Sequence, residues 1–383
     1  MKIAVIGGGP AGLYFASTLK RLDASHAVTV FEKSPRGSTY GFGVAFSAGG
    51  LKSIETVGPE LGRSIRAASQ YLPHLTIVHQ GERVVVRGND FFGVARLRLL
   101  ELLTERALSS GVDVTHGSNI SNNADLAGFD MIVGADGLNS FVRRHESFES
   151  KTVPCRNFMI WYGSECPTDG IELIFQKTPF GLMIGHTYRY RPDRNTFVVE
   201  CTPTTYRTAG LDQMSERESL DFCSSVFSEH LKGSGLRSNR SVWFRPKLVW
   251  TPRWACGNVA LIGDALKSLH PSIGSGTRAA MKDAFALAQA IHMHQSDFVA
   301  ALSTYERQHK PIAEELQQTA LQSIQWYETI EDKLNLSPIE FAFQYMTRTG
   351  KVTLEQLEQM DPSFTASCLA EGLVAVPQAK VLP

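Results

Sequence analysis

The chain has 383 residues, of which 43% are hydrophobic and 20% are charged, a composition typical of a folded globular protein with a large buried core. Lys and Arg together number 38, as do Asp and Glu, so the formal net charge of zero gives no electrostatic basis for binding nucleic acid or an acidic membrane. The six cysteines lack Cys-x-x-Cys spacing, so no zinc site, other metal site or disulfide framework is expected. No apolar run approaches the roughly 18 residues of a membrane helix, and we predict a cytoplasmic enzyme.

The first 32 residues carry the most informative pattern. An apolar strand over residues 1–6 leads into Gly7-Gly8-Gly9-Pro10-Ala11-Gly12, a helix is predicted to end near Leu22, and a second strand ends at Glu32. In this dinucleotide-binding pattern Gly7 permits the turn, Gly9 lets the backbone approach a pyrophosphate, and Gly12 allows close packing. The helix start attracts phosphate, and Glu32 is placed to accept a hydrogen bond from a ribose hydroxyl. The predicted contacts are Gly7, Gly9, Pro10, Ala11, Gly12, Glu32 and Lys33.

The later elements follow in chain order. Residues 37–50 are rich in glycine and are expected to form a loop, and a helical pattern begins near Arg96. Strands are predicted over 112–115, 129–133 and 259–262, and the last two end in the glycine-bearing turns 134–137 and 263–264. Residues 157–249 alternate β-branched and aromatic runs with turns, which predicts an antiparallel sheet broken only by a helix over 215–231. A long amphipathic helix with Met281 and Ile291 on one face then opens a helix-rich region.

The order of these elements predicts an α/β fold in three parts. Residues 1–70, 92–155 and 252–295 would form a discontinuous Rossmann-like nucleotide-binding domain. Residues 71–91 and 156–251 would form an inserted antiparallel β-sheet domain, and 296–383 a helical C-terminal region. Ligands of such folds bind outside the carboxyl ends of the strands, so all three glycine-bearing turns can face one long cofactor. Residues 271–276 offer a second anion site at a helix start.

Together these motifs resemble the class A FAD-dependent aromatic monooxygenases, which have the p-hydroxybenzoate hydroxylase fold. The family's three fingerprints match residues 7–12, the segment 133–140 with Asp136 and Arg143, and Leu261-Ile262-Gly263-Asp264-Ala265. The sequence departs from the family where Lys267 stands in place of the usual histidine, although His270 follows three residues later. Residues 270–277, 160–163, 186–189 and 326–328 are similar to a subgroup that includes the violacein-pathway hydroxylase and salicylyl-CoA 5-hydroxylase.

The resemblance implies which further residues bind FAD. The family's FAD-contacting arginine is matched by Arg96, and its glycine loop beside the flavin ring by residues 41–44. The resulting set adds Gly43, Val44, Arg96, Asp136, Gly263, Asp264, Pro271, Gly274, Ser275, Gly276 and Thr277 to the N-terminal contacts.

The resemblance also implies the reaction. NAD(P)H would reduce FAD, O2 would be captured as a C4a-hydroperoxyflavin, and an electron-rich aromatic or indolic ring, possibly an aryl-CoA thioester, would be hydroxylated. No second Gly-x-Gly-x-x-Gly is present for the nicotinamide, which fits a family that binds NAD(P)H transiently. Amides at residues 274–277 would stabilise negative charge on the flavin during its reduction.

Candidate substrate-side residues come from the inserted sheet and the flavin loop. A phenol or amine must share a proton as oxygen transfers, and histidine titrates near neutral pH, so His270 and His186 are the catalytic candidates. Tyr162, Tyr188 and Glu200 are candidate substrate contacts. For each of these side chains an ordinary packing or solvated role is the competing interpretation. Arg143 and Arg144 are candidates for a basic surface patch that binds a CoA phosphate, although an ordinary solvated pair is favoured and Arg143 matches a structural position of the family.

Other functions remain open at this point. An FAD-linked reductase or dehydrogenase and a non-catalytic flavoprotein have the same fold. The related halogenases carry a Trp-x-Trp-x-Ile-Pro signature that does not follow Trp161. A monomer or a homodimer is expected, acting on a small aromatic molecule.

Overall fold

The computed structural model describes residues 1–144, 146–295 and 297–373. Within them the strands are β1 Lys2–Ile6, β2 Ala27–Glu32, β3 Gly43–Ser47, β4 Gln70–His79, β5 Glu82–Ala95, β6 Asp113–His116, β7 Met131–Gly134, β8 Lys151–Pro154, β9 Phe158–Ser164, β10 Ile171–Thr178, β11 Gly181–Arg191, β12 Arg194–Cys201, β13 Leu236–Arg237, β14 Lys247–Trp250, β15 Ala255–Cys256 and β16 Val259–Leu261. The α-helices are α1 Pro10–Leu22, α2 Ala48–Val57, α3 Pro59–Ala67, α4 Arg96–Ser109, α5 Pro203–Thr208, α6 Glu216–Val226, α7 Ser228–Leu231, α8 Gly276–His294, α9 Phe298–Glu328, α10 Pro338–Thr347, α11 Leu354–Met360 and α12 Pro362–Ala370. None of the helices in this part of the chain is both long and apolar enough to cross a bilayer.

The first of two compact units comprises residues 1–39, 97–154 and 247–317. Its main sheet has the strand order β15-β16-β7-β1-β2-β6, and every neighbouring pair except β15 with β16 is parallel. Ile3, Ala4 and Val5 are fully buried, since a central parallel strand is covered on both faces. Because β1, β7 and β16 run in the same direction, the turns that follow them all lie at the carboxyl ends of the strands, on the same side of the sheet.

The second unit comprises residues 40–96, 155–246 and the described chain from residue 318. Its eight-stranded sheet has the order β13-β9-β12-β11-β10-β4-β5-β3. Side chains alternate between its two faces. Face A, defined by Ile184 and Leu173, packs against the end of α9 and against α10 and α12. Face B, defined by Phe197 and Val199, packs against α6 and α7.

The α/β fold class predicted from the sequence is confirmed, with local corrections. The expected loop over residues 37–50 is wrong, because residues 43–47 pair with β5 and Ser47 then caps α2 by accepting a hydrogen bond from Gly50 N. The predicted sheet is not wholly antiparallel, because β4 and β10 pair in parallel. A further helix, α5, follows β12, and α6 and α7 divide the predicted helix over 215–231.

The division into units differs from the expected domain boundaries. Residues 40–70 belong with the second unit because β3 and β4 both pair with β5. The expected separate helical region is divided, since residues 297–317 pack in the first unit and those from 318 in the second. Ser296 and residues 374–383 of that expected region lie outside the described residues.

Candidate functional site

The glycine turn after β1 is shaped by close backbone contacts. Gly7 has φ +111°, and a Cβ there would lie 2.3 Å from the carbonyl oxygen of Ala135. A Cβ at Gly12 would lie 2.0 Å from the carbonyl oxygen of Gly7, so helix and strand can approach only through glycine. At Gly9, by contrast, a Cβ would meet no protein atom within 4 Å. The turn is therefore tightly packed on one side and open at Gly9.

Glu32 lies against this turn. Its Oε2 accepts a hydrogen bond from Gly8 N at 2.7 Å and its Oε1 one from Ser34 N at 2.7 Å. The carboxylate is therefore held where β2 ends, beside the start of α1. Lys33, the next residue, is exposed.

Two long helices of the first unit begin without a capping side chain. The N-cap residues are Gly9 for α1 and Ser275 for α8, and no side chain at either position accepts a hydrogen bond from a backbone amide of its helix. Ser275 Oγ instead accepts a hydrogen bond from Arg278 Nη2 at 3.1 Å. The first amides of a helix have no intrahelical partner and carry a partial positive charge, so both starts suit an anion. Added Cβ atoms at Gly274 and Gly276 would meet nothing within 4 Å, which leaves space before α8. Pro271 and Gly274 are exposed, and Ser275 and Thr277 are half-buried.

The turns after β7 and β16 are tied together by a buried arginine. Asp136 accepts hydrogen bonds from Ser140 Oγ at 2.5 Å and Phe141 N at 2.6 Å, so its carboxylate holds its own loop. Arg143 is 6% exposed and donates through Nη1 to the carbonyl oxygens of Asp264 and Ala265 at 3.2 and 2.8 Å. The interpretation of Arg143 as a solvated residue is therefore wrong. Gly263 is buried, and the side chain of Asp264 is exposed at the turn.

A buried ionic cluster lies behind this turn and was not predicted from the sequence. Lys267 Nζ contacts both carboxylate oxygens of Asp283 at 2.5 Å, and His309 Nε2 lies 2.9 Å from Asp283 Oδ1. Gly263 N donates to Asp283 Oδ2 at 3.1 Å. Burial would raise the pKa of Asp283, but Lys267 and His309 outweigh it and the pKa is lowered. The only available signal was Lys267 itself, at the position where the family usually has histidine.

His270 is 2% exposed and caps a short 3-10 turn, Pro271–Ile273. Its Nδ1 accepts a hydrogen bond from Ser272 N at 3.3 Å and lies 2.8 Å from Ser272 Oγ. An atom that accepts from an amide carries no proton, so the neutral ring has its proton on Nε2. The imidazole therefore has a local structural task, and its catalytic role stays a prediction.

In the second unit, the segment 41–44 is fastened to face A. Gly43 N donates to Thr196 Oγ1 at 2.9 Å, and Tyr188 Oη donates to Gly43 O at 2.9 Å. A Cβ at Gly43 would lie 2.5 Å from Tyr190 Cβ, so only glycine fits. Arg96 N, at the start of α4, donates to Phe42 O at 2.9 Å. Val44, the next residue of β3, is buried.

The residue Tyr188, expected to contact substrate, therefore has its hydroxyl engaged by the backbone. Burial raises its pKa to about 12, although Thr196 and Arg96 act in the opposite direction. The Tyr188→Phe variant should lose about 0.5–1.5 kcal/mol of unfolding free energy, the usual contribution of one hydrogen bond. Denaturant unfolding measures this, with Tyr71→Phe as control because Tyr71 is an exposed tyrosine bonded to Asp90. An unchanged stability together with a raised KM would instead favour a substrate contact.

Tyr162 does not lie with the other substrate candidates. It pairs with Phe197 on face B, is fully buried, and its hydroxyl lies 3.1 Å from Ser219 Oγ. His186 and Tyr188 lie on face A because they follow Ile184 along β11 at intervals of two residues. Glu200 lies on the same face because it pairs directly with Ile184 on the neighbouring strand. The prediction that Tyr162 contacts substrate together with these residues is corrected by the strand register, which places its ring in the core.

His186 and Glu200 form a polar cluster on face A. His186 Nε2 lies 3.1 Å from Glu200 Oε2, and Asn157 Nδ2 donates to Glu200 Oε1 at 2.8 Å. The side chain of Glu200 is fully buried, whereas that of His186 is 13% exposed. The ring of Tyr327, at the end of α9, lies 5.4 Å from the imidazole between centroids. Glu200 is thus not the solvated strand-end carboxylate of the competing interpretation.

Two family models match the chain. The model described as a FAD binding domain matches residues 127–320, and the model described as an NAD(P)-binding Rossmann-like domain matches residues 5–45. The second match contains the glycine turn and Glu32, and the first contains the turns after β7 and β16.

Characterised relatives match over nearly the whole chain. Salicyloyl-CoA 5-hydroxylase of a Streptomyces species is 32% identical, with 94% of this chain and 73% of that protein covered. Protodeoxyviolaceinate monooxygenase of Chromobacterium violaceum is 33% identical, covering 91% of this chain and 94% of that one. The 3-hydroxy-4-methyl-anthranilyl-(aryl-carrier protein) 5-monooxygenase of Streptosporangium sibiricum is 32% identical, covering 93% and 97%.

The fold is also similar to that of solved structures. A structure of 2-methyl-3-hydroxypyridine-5-carboxylic acid oxygenase is similar with a TM-score of 0.74 at 21% identity, covering 91% of this chain and 96% of that one. With the glycine turns, the family models and the relatives in agreement, the chain belongs to the class A FAD-dependent aromatic monooxygenases, in the subgroup that contains salicyloyl-CoA 5-hydroxylase and protodeoxyviolaceinate monooxygenase.

Proposed function

We propose that this FAD- and NAD(P)H-dependent monooxygenase hydroxylates an aromatic ring that carries a hydroxyl or amino group and is attached through a thioester. Two of the three relatives described above support the thioester, since one is named for a salicyloyl-CoA and the other for an anthranilyl group on an aryl-carrier protein. Both printed names describe rings with electron-donating substituents, which an electrophilic oxygen attacks most readily. The match to the CoA relative over 94% of this chain carries the proposal.

The first unit fits FAD on its own geometry. The space at Gly9 is open, and two helix starts lack capping side chains. Glu32 ends β2 and Asp264 follows β16, and these strands of one sheet are separated by β7 and β1. In the proposed arrangement the turn at Gly9 and the start of α1 bind the pyrophosphate. Glu32 accepts from a ribose hydroxyl and Asp264 from a hydroxyl of the flavin side chain.

Bound FAD supplies the transfer of electrons from NAD(P)H to O2 and the activation of oxygen. The protein's own contribution is orientation and charge. Amides at the start of α8 would stabilise negative charge on the cofactor, since they point from a helix end without a capping side chain. Arg143 and Asp283 would act indirectly, by holding the turn at Gly263 and Asp264 in one conformation.

The experiment is NAD(P)H oxidation by the FAD-loaded protein in air, with NADH and NADPH tested separately. The panel contains salicyloyl-CoA, free salicylate, indoles and benzoyl-CoA, with product mass measured in parallel. We expect salicyloyl-CoA to stimulate oxidation and to gain one oxygen atom. Stimulated oxidation without oxygen insertion would favour a reductase, and flavin binding without any stimulation a non-catalytic flavoprotein.

We also propose that the enzyme works in the cytoplasm, as a monomer or homodimer. All six cysteines are free thiols, which suits a reducing compartment where NAD(P)H is available. Cell fractionation would test the location, and sedimentation of the FAD-loaded protein the oligomeric state.

A further inference from the structure

The buried carboxylate of Glu200 is unusual for a sheet residue. A carboxylate loses several kcal/mol of hydration when it is buried, and such groups are found where a partner compensates for the loss. Here Glu200 receives a hydrogen bond from the Asn157 amide and lies against His186 Nε2. Asn157 is itself 1% exposed and lies 3.4 Å through Nδ2 from the carbonyl oxygen of Tyr327, so the amide is held from two sides.

This arrangement determines which ring nitrogen of neutral His186 carries the proton. A carboxylate oxygen only accepts, so the neutral imidazole carries its proton on Nε2 and has its lone pair on Nδ1. His186 thus has a buried partner on Nε2 and no hydrogen-bond partner among the described residues on Nδ1, and its side chain is 13% exposed.

The other described histidines of the second unit have no hydrogen bond to a buried carboxylate. His79 is 2% exposed and stacks on Phe341 at 3.9 Å between ring centroids. His230 contributes its carbonyl oxygen to Cys166, and burial lowers the pKa of its ring. In the first unit, His309 is paired with a carboxylate, but that carboxylate also binds Lys267 and the backbone of Gly263.

We propose that His186 is the catalytic base that accepts the proton of the substrate's ring hydroxyl or amino group, and that Glu200 is its positioning residue. The inference rests on the proposed function and deepens it. In the overall reaction one atom of O2 enters the ring and the other leaves as water, with two electrons from NAD(P)H. The proton removed from the ring substituent moves to His186 Nδ1 while the ring carbon bonds to oxygen. It returns to the substituent when the ring regains aromaticity, and the hydrogen displaced from the ring carbon leaves as a proton that is taken up by the oxygen atom leaving as water.

The groups that face His186 are compatible with this role. They are Glu200 on β12, Tyr188 on its own strand and Tyr327 at the end of α9. Burial raises the pKa of Tyr327 and that of Tyr188, so both hydroxyls stay protonated and neutral. Leu173 and Val198 flank the imidazole on the neighbouring strands, and they supply no competing proton acceptor.

The test is a spectroscopic titration of the FAD-loaded protein without NAD(P)H, using a nitro-substituted salicyloyl-CoA whose phenolate absorbs visible light. We expect the wild-type protein to lower the apparent pKa of the bound phenol by about 1–3 units relative to the free thioester. His186→Asn should abolish this shift and Glu200→Gln should reduce it. The matched control is His74→Asn. His74 is a histidine of β4 whose position in the strand places it on the opposite face of the sheet from His186.

Retained FAD absorbance and thermal unfolding show whether each variant is folded, and the hydroxylation rates of the same variants are measured with salicyloyl-CoA. A shift unchanged in a folded His186→Asn protein would overturn the inference and leave the proposed function intact. A wild-type protein that neither binds the probe nor hydroxylates salicyloyl-CoA would overturn the proposed thioester substrate and the inference together. Equal loss in His74→Asn would assign the effect to the fold rather than to His186.

Discussion

The Asp283→Asn variant is expected to lose about 3–5 kcal/mol of unfolding free energy, the usual cost of removing one partner of a buried ion pair. Lys267 is 5% exposed and would keep a buried charge without its carboxylate. Asp283 is 1% exposed and also contacts His309 and Gly263 N, so one substitution disturbs three contacts. Denaturant unfolding of the FAD-loaded protein measures the loss.

Two further variants test whether the loss of stability comes from an uncompensated buried charge. Asp221→Asn, at an exposed ion pair with Arg217, should change stability by no more than about 1 kcal/mol. The double variant Lys267→Met with Asp283→Asn should be more stable than Asp283→Asn alone, because it no longer buries an uncompensated charge. Asp283→Asn behaving like the surface control would contradict the assignment of this cluster as a buried ion pair.

The same cluster predicts a pH dependence. The pKa of Asp283 is lower in the folded protein than in the unfolded chain, so its ionised form stabilises the fold. This contribution is fully present above the unfolded pKa, which is about 3.9, and is lost as the pH falls through the folded value. The difference in stability between wild type and Asp283→Asn should therefore shrink only in strong acid.

Gly12→Ala and Gly9→Ala are both expected to weaken FAD binding, but only Gly12→Ala is expected to destabilise the fold. The added methyl at Gly12 would lie 2.0 Å from a backbone oxygen, so α1 must shift, at a cost of about 1–3 kcal/mol and with loss of bound FAD. At Gly9 the methyl meets no protein atom and the φ of −76° suits alanine, so the fold should lose less than about 1 kcal/mol. Its methyl would instead occupy the space proposed for the pyrophosphate.

For Gly9→Ala we expect FAD affinity at least about tenfold weaker, which corresponds to about 1.4 kcal/mol. Flavin fluorescence during titration of the apoprotein gives the dissociation constant, and apoprotein unfolding gives the stability. Unchanged FAD affinity in Gly9→Ala would contradict the proposed position of the pyrophosphate. A stable Gly12→Ala apoprotein would show that α1 can accommodate the methyl group.

The features recovered from the sequence are local ones. The strand, the glycine turn and the α1 helix were predicted nearly to the residue, because each depends on neighbouring residues and on backbone angles such as the positive φ of Gly7. The turn at Gly263 and Asp264 and the helix α8 were recognisable for the same reason. The resemblance of these motifs to the FAD-dependent monooxygenases was confirmed by the relatives.

The features that the sequence did not reveal depend on pairing between distant segments. Residues 43–47, which lie within the glycine-rich stretch 37–50, form a strand because β5, some distance along the chain, supplies the hydrogen-bond partners. Tyr162 and Glu200 lie on opposite faces of the sheet because of the register of their strands. A one-residue shift in register would exchange these faces, and the register cannot be read from the residues of one strand alone.

The two buried polar clusters, one around Asp283 and one around Glu200, show the same division. The sequence by itself determined the nucleotide-binding turns and the family, since those are encoded in short motifs with local geometric requirements. Only the tertiary structure decided that Asp283 joins Lys267 and His309, and that Glu200 joins His186 and Asn157. Each of these contacts joins separate elements, and burial gives them their strength because it removes the water that would otherwise compete for the charges.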